Sequence, residues 1–136
     1  MSKPLEEANR WIRAAENDLQ AAEAMVASRH FNWACFLAQQ AAEKAVKAYL
    51  YAQGVEDPWG HSVADLLRDA LTYNAALRDL QPTGALLDKF YIPTRYPNGL
   101  PGGLPSEAYS EAEALQARAW ALTIIERCRA LLTLQA

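Results

Sequence analysis

The sequence predicts an all-α fold: an antiparallel up-and-down bundle of four long helices plus one short helix, in a single domain over residues 1–136. Three observations carry this. Apolar residues recur at spacings of three and four through most of the chain. Strand-like alternation never extends beyond a few residues. Capping residues, glycines and prolines cut the chain into segments of bundle length, and its 136 residues suit one core.

The first helix is expected after Ser2, with Pro4 in its first turn and Glu6 and Glu7 near the positive end of its dipole. Leu5, Ala8, Ile12, Ala15, Leu19, Ala22 and Val26 form one apolar face, which stops near "SRHFN". Asn32 is the expected cap of the second helix, "WACFLAQQAAEKAVKAYLYAQ", and Gly54 its left-handed stop. Ala34, Ala38, Ala41, Ala45, Ala48 and Ala52 share a face, which lets a neighbouring helix approach closely. After the turn "EDPWGH", Ser62 and Asp65 fit a capping box. The third helix then carries Val63, Leu66, Leu67, Ala70, Leu77 and Leu80, with a bend near Asn74. "QPTG" is expected to break it, and the short helix "ALLDKFYI" to end before Pro93. Pro93 to Pro105 reads as a long loop. Ser110 and Glu113 fit another capping box, opening a last helix to about Leu134 lined by Ala114, Ala117, Ala121, Ile124, Cys128 and Leu131.

Composition narrows the function. With 51% hydrophobic and 21% charged residues this is an ordinary globular chain. A net charge of -3 argues against holding nucleic acid by bulk electrostatics, although a local basic pocket is compatible with it. No apolar run is long enough to span a membrane, and the N-terminus lacks a signal-peptide core, so a cytoplasmic protein is expected. Cys35 and Cys128 lie in helical patterns and read as reduced, buried thiols. No Cys/His cluster suggests zinc, and neither His30 nor His61 has a glutamate three residues before it, so no metal or cofactor is expected.

At 100° per residue, Trp33, Phe36, Gln40, Glu43, Lys44, Lys47 and Tyr51 fall within roughly one third of the second helix's circumference. The polar members alone suit a solvated face. The aromatic ones suit a half-buried groove or an interface better.

"FLAQQAAEKAVKAYLYAQG" followed by "HSVADLL" resembles the signature of HEPN domains. "FYIPTRYPNG" resembles that family's arginine-tyrosine-proline segment, and "AYSEAEALQARAWALTII" its last helix. The resemblance implies a small helical bundle that commonly forms homodimers, a proposed nucleotide-binding role, and often a minimal nucleotidyltransferase partner in a toxin–antitoxin-like pair. It also implies, for many members, metal-independent RNA cleavage by an arginine followed after four to six residues by a histidine.

This chain departs from that motif. Leu100, Pro101 and Gly102 occupy the positions where a histidine would follow Arg95. Arginine stabilises phosphate charge but does not transfer protons near neutral pH, so RNA cleavage would need another group, for which His61 is the candidate. The expected ligand-contacting set is Arg95, Tyr96, Gln40, Glu43, Lys44, Lys47 and His61. In it, Lys44, Lys47 and Arg95 would converge on one phosphate and Glu43 would pair with one of them; Tyr96 would stack on a base or pack on the bundle. Three functions follow: a nucleotide- or RNA-binding module, a ribonuclease with a degenerate site, and a structural interaction domain.

Overall fold

Ser2 opens the first helix as its sequence suggests: its Oγ accepts from the Leu5 amide at 3.3 Å, and α1 runs Lys3–Ala27. The computed structural model describes residues 2–136, all of whose regular elements are helical. Ala8, Ile12, Ala15, Leu19 and Ala22 are buried, which is the expected apolar face. The helix ends without glycine. Arg29 takes the left-handed conformation at φ 64°, and the His30 amide reaches back to the Met25 carbonyl at 2.8 Å.

Next comes α2, Phe31–Ala52, the central helix, with fifteen of its residues buried. Its alanine face is fully buried, and small side chains there let α1 and α6 pack closely on it. His30, not Asn32, occupies the cap position. Asn32 is buried instead, and its amide donates to the Thr94 carbonyl at 3.0 Å. Gly54, just beyond the helix, has φ +93° as expected of a left-handed stop.

The third helical segment is divided. α3 spans Val63–Leu71, a 3₁₀ turn follows over Ala75–Leu80, and α4, Gln81–Asp88, continues directly from it. The division falls at Asn74, whose side chain accepts from the Ala76 amide at 2.9 Å. "QPTG" does not break the chain: it forms the first turn of α4, where proline lacks only an amide that would be unpaired anyway. Gly84 is there for packing. A Cβ on it would lie 2.9 Å from Leu67 Cδ1 and 3.2 Å from the Ala64 backbone nitrogen. The expected apolar stripe Val63, Leu66, Leu67, Ala70, Leu77 and Leu80 is buried throughout.

The segment after Pro93 is shaped by its own contacts. A 3₁₀ turn, Pro97–Gly99, folds back so that a Cβ on Gly99 would lie 2.8 Å from Pro93 Cα. A one-turn helix, α5, Pro105–Ala108, precedes α6, Glu111–Gln135. Ser110 and Glu113 form the reciprocal capping box that opens α6.

Side-chain ties show the directions. Glu16 pairs with Arg129 and Glu23 with Arg118, so α1 and α6 run antiparallel. Gln53 and Gln135 bond at 2.7 Å, so α2 and α6 end together. Arg127 grips Asp79 through both terminal guanidinium nitrogens at 2.8 and 2.9 Å, while Phe90 meets Tyr109, so α4 runs against α6. The result is the expected all-α bundle. No helix among the described residues is long and apolar enough to cross a membrane. Cys35 and Cys128 are buried free thiols, both pushed up to about 12 chiefly by burial.

Candidate functional site

The site is built where α2, the start of α3 and the turn after α4 meet. Asp88, at the end of α4, organises it. Its carboxylate accepts from the amides of Val63 at 2.7 Å and Ala64 at 3.1 Å, and from the Ser62 hydroxyl at 2.7 Å. Ser62 in turn accepts from the Asp65 amide at 3.1 Å. Asp88 therefore supplies the capping group that the box expected at Ser62 and Asp65 leaves open, and a carboxylate suits the positive end of α3. Gln39 on α2 donates to Asp88 at 3.3 Å and to the His61 carbonyl at 2.8 Å. These bonds fix the backbone before α3 and thus the position of His61.

The His61 side chain is 62% exposed, while its Nδ1 lies 3.3 Å from Oε1 of Glu43, whose side chain is only 5% exposed. Glu43 also accepts from Gln40 at 3.1 Å and pairs with Lys47 at 3.2 Å. With Glu43 ionised, Nδ1 carries the proton and Nε2 is free to accept one. Such a buried carboxylate orients an imidazole and holds its tautomer.

Arg95 is held by aromatic rings. Its guanidinium carbon lies 4.3 Å from the centroid of Phe36, 4.7 Å from that of Tyr91 and 5.1 Å from that of Tyr96. Its Nε donates to the Tyr91 carbonyl at 2.9 Å. Among the described residues no carboxylate pairs with the half-buried Arg95, and its two terminal nitrogens donate to none of them, so those donors are unspent. The ring of Tyr91 also stacks on His61, and Trp33 meets Phe36 edge-on at 6.1 Å. Trp33 and Tyr96 remain exposed beside the arginine.

Arg95, Tyr96, His61, Gln40 and Glu43 thus gather around Tyr91 and α2, but the expected convergence of cations does not form. Lys44 turns to α1 and pairs with Asp18 at 2.6 Å. Lys47 is buried with Glu43 and lies 5.8 Å over the Trp11 ring, also on α1. Glu43 pairs with Lys47 and His61 rather than with Arg95. The expected face of α2 is accordingly split between an interface with α1 and the aromatic site. Sequence reasoning missed Tyr91, Gln39 and Asp88. Only Tyr91 had a local signal: it lies four residues before Arg95, a spacing at which one helical turn superposes side chains.

The arrangement is a helical bundle presenting an aromatic-held arginine beside a carboxylate-oriented histidine. The HEPN domain model matches residues 8–131, and the chain belongs to the HEPN domain family. It is 28% identical over 113 residues to "Putative toxin MJ1304" of Methanocaldococcus jannaschii, covering 76% of this chain and 74% of that protein. The crystal structure of TT1696 from Thermus thermophilus superposes with a TM-score of 0.84 at 37% identity, covering 96% of this chain and 98% of that one. ST0689, an archaeal HEPN homologue, superposes with a TM-score of 0.77 at 37% identity over 93% of this chain and 98% of its own. A HEPN domain protein of Thermotoga maritima gives a TM-score of 0.70 at 34% identity, over 91% and 98%.

Proposed function

We propose that this chain binds the phosphate of a nucleotide or of RNA through Arg95, as a cytoplasmic homodimer that acts beside a minimal nucleotidyltransferase partner in a toxin–antitoxin-like module. The observation that carries the binding is the state of Arg95: three rings and one carbonyl hold its guanidinium, yet its terminal nitrogens remain available. Exposed Trp33 and Tyr96 offer stacking surfaces for a base next to that phosphate. The relative described as "Putative toxin MJ1304" supports the toxin–antitoxin-like setting. Calorimetry at low salt with ATP and with a single-stranded RNA oligonucleotide tests the binding. Heat from either, lost in Arg95→Ala, is expected; no heat from both would favour a structural interaction domain.

Metal-independent RNA cleavage is the second function, and one observation favours it. His61 and Arg95 both rest on Tyr91, with Glu43 orienting the imidazole. In this reading Nε2 of His61 takes the proton of a 2′-hydroxyl as that oxygen attacks the phosphorus, Arg95 stabilises the phosphate charge, and the 5′-oxygen, leaving as its bond to phosphorus breaks, takes a proton from water. Incubation with RNA in a chelator separates the two functions. Cleavage lost in both Arg95→Ala and His61→Ala would establish the nuclease; intact RNA would leave binding alone.

A further inference from the structure

A second concave site lies near the other end of α2. A cavity of about 490 Å³ opens between the end of α2, the segment leading to α3, and the end of α3. Its floor includes Leu50 and Leu66, both buried. From Phe36 to Leu50 is fourteen residues of α2, about 21 Å at the helical rise. The cavity shares no lining residue with the Arg95 site, although Trp59 lies two residues before His61.

Two features of its lining stand out. Trp59 is 86% exposed and Tyr73 50% exposed, a large uncovered aromatic surface for a small domain. Asp57 and Asp69 line the same cavity, and no lysine, arginine or histidine does. Among the described residues neither aspartate enters an ion pair. Arg68, next to Asp69 in sequence, is taken by Asp65 at 3.2 Å. The Asp69 backbone is held in place, since its carbonyl accepts from the Thr72 hydroxyl at 2.7 Å. Acidic groups without a resident cation, joined to aromatic rings over an apolar floor, complement a cation carried on an apolar stem.

We infer that this cavity is a docking site for an arginine side chain of a basic partner protein. A guanidinium is planar and weakly hydrated, donates to carboxylates from its edges and stacks on aromatic rings, so it suits both the acidic and the aromatic members of the lining; a compact ammonium suits chiefly the carboxylates. The source is a protein surface rather than a free small cation because of Trp59. A small molecule within the cavity would leave much of that 86% exposed ring bare, whereas a protein around an inserted arginine would cover it. The chain's net charge of -3 favours approach of a basic partner.

The test follows the Trp59 indole N–H by NMR, assigned with Trp59→Phe. The probes are a short peptide with one central arginine, the same peptide with citrulline in its place, and free argininamide. A saturable shift is expected with the arginine peptide, with affinity at least roughly tenfold weaker for citrulline and for the Asp57→Asn/Asp69→Asn variant. Trp59→Ala, followed at Tyr73, is expected to weaken the peptide more than argininamide. Asp57, Trp59 and Asp69 are exposed, so the variants keep the fold, which circular dichroism verifies. Equal binding of the citrulline peptide, an unchanged double variant, or no saturable shift would overturn the site. Argininamide binding as tightly as the peptide would overturn the protein partner.

Discussion

The imidazole of His61 stacks on the ring of Tyr91, with 5.1 Å between centroids and 17° between planes. The guanidinium of Arg95 rests on the same ring at 4.7 Å. Tyr91 thus connects a side chain with the chemistry to hold a phosphate and one with the chemistry to move a proton beside it. Neither is placed by α2 alone. His61 is positioned by Gln39 and the cap of α3, and Arg95 by the turn that follows α4.

Asp88 joins those two supports, so its loss is expected to reach both. Asp88→Ala removes the acceptor for the Val63 and Ala64 amides, the Ser62 hydroxyl and the Gln39 amide. Urea unfolding is expected to show a loss of about 2–3 kcal/mol. A change under about 0.5 kcal/mol, the usual surface effect, would contradict its role.

Gly84→Ala tests the packing of α4 on α3. Alanine favours a helix by about 1 kcal/mol over glycine. Here its Cβ would meet Leu67, Val63 and the Ala64 backbone at 2.9 to 3.2 Å. Overpacking is expected to win, with a net loss of about 1–2 kcal/mol by urea unfolding. A stabilised variant would mean that α4 shifts without cost.

The Glu43–Lys47 pair is buried, at 4% and 7% exposure. Glu43→Ala leaves a buried ammonium without its carboxylate and is expected to cost about 3–5 kcal/mol. Glu43→Leu combined with Lys47→Met removes both charges and is expected to recover most of that loss. A double variant as unstable as the single one would show that Glu43 acts mainly through His61 and Gln40.

Cys35 and Cys128 set an alkaline limit. Burial raises both thiols to about 12 from an ordinary value of 9.0, so the folded state keeps protons that the unfolded chain gives up. Their contribution is fully present below pH 9 and is lost as pH rises from there toward 12. Urea midpoints measured from pH 8 upward are expected to fall above about pH 9, and the replacement of both cysteines by alanine to flatten that fall.

What was legible in the sequence was local or periodic. Ala8, Ile12, Ala15, Leu19 and Ala22 spell out a helical seam by spacing alone, and Ser110 with Glu113 marks a helix start within four residues. What was not legible depends on distant partners. Gly84 reads as a breaker until Leu67 is placed against it. Asn32 reads as a cap until Thr94, 62 residues away, accepts its amide. Lys44 and Lys47 share a helix face with Gln40, yet Asp18 and Trp11 on α1 draw them from the site. Arg95 stood out because it is the one charged residue between Tyr91 and Pro105. Two of the rings that hold it, Tyr91 and Tyr96, come from its own segment, but Phe36 comes from α2, and that meeting is a property of the fold.

The central claim is that Arg95 grips a phosphate. It is tested most directly by fluorescence anisotropy of a labelled single-stranded RNA against the intact protein and Arg95→Ala across a salt series. Binding is expected to weaken in the variant by roughly tenfold or more, with the magnitude of the log–log salt slope reduced by about one, as loss of a single phosphate contact requires. An Arg95→Ala protein that folds normally and binds with the same affinity and the same slope would contradict the account.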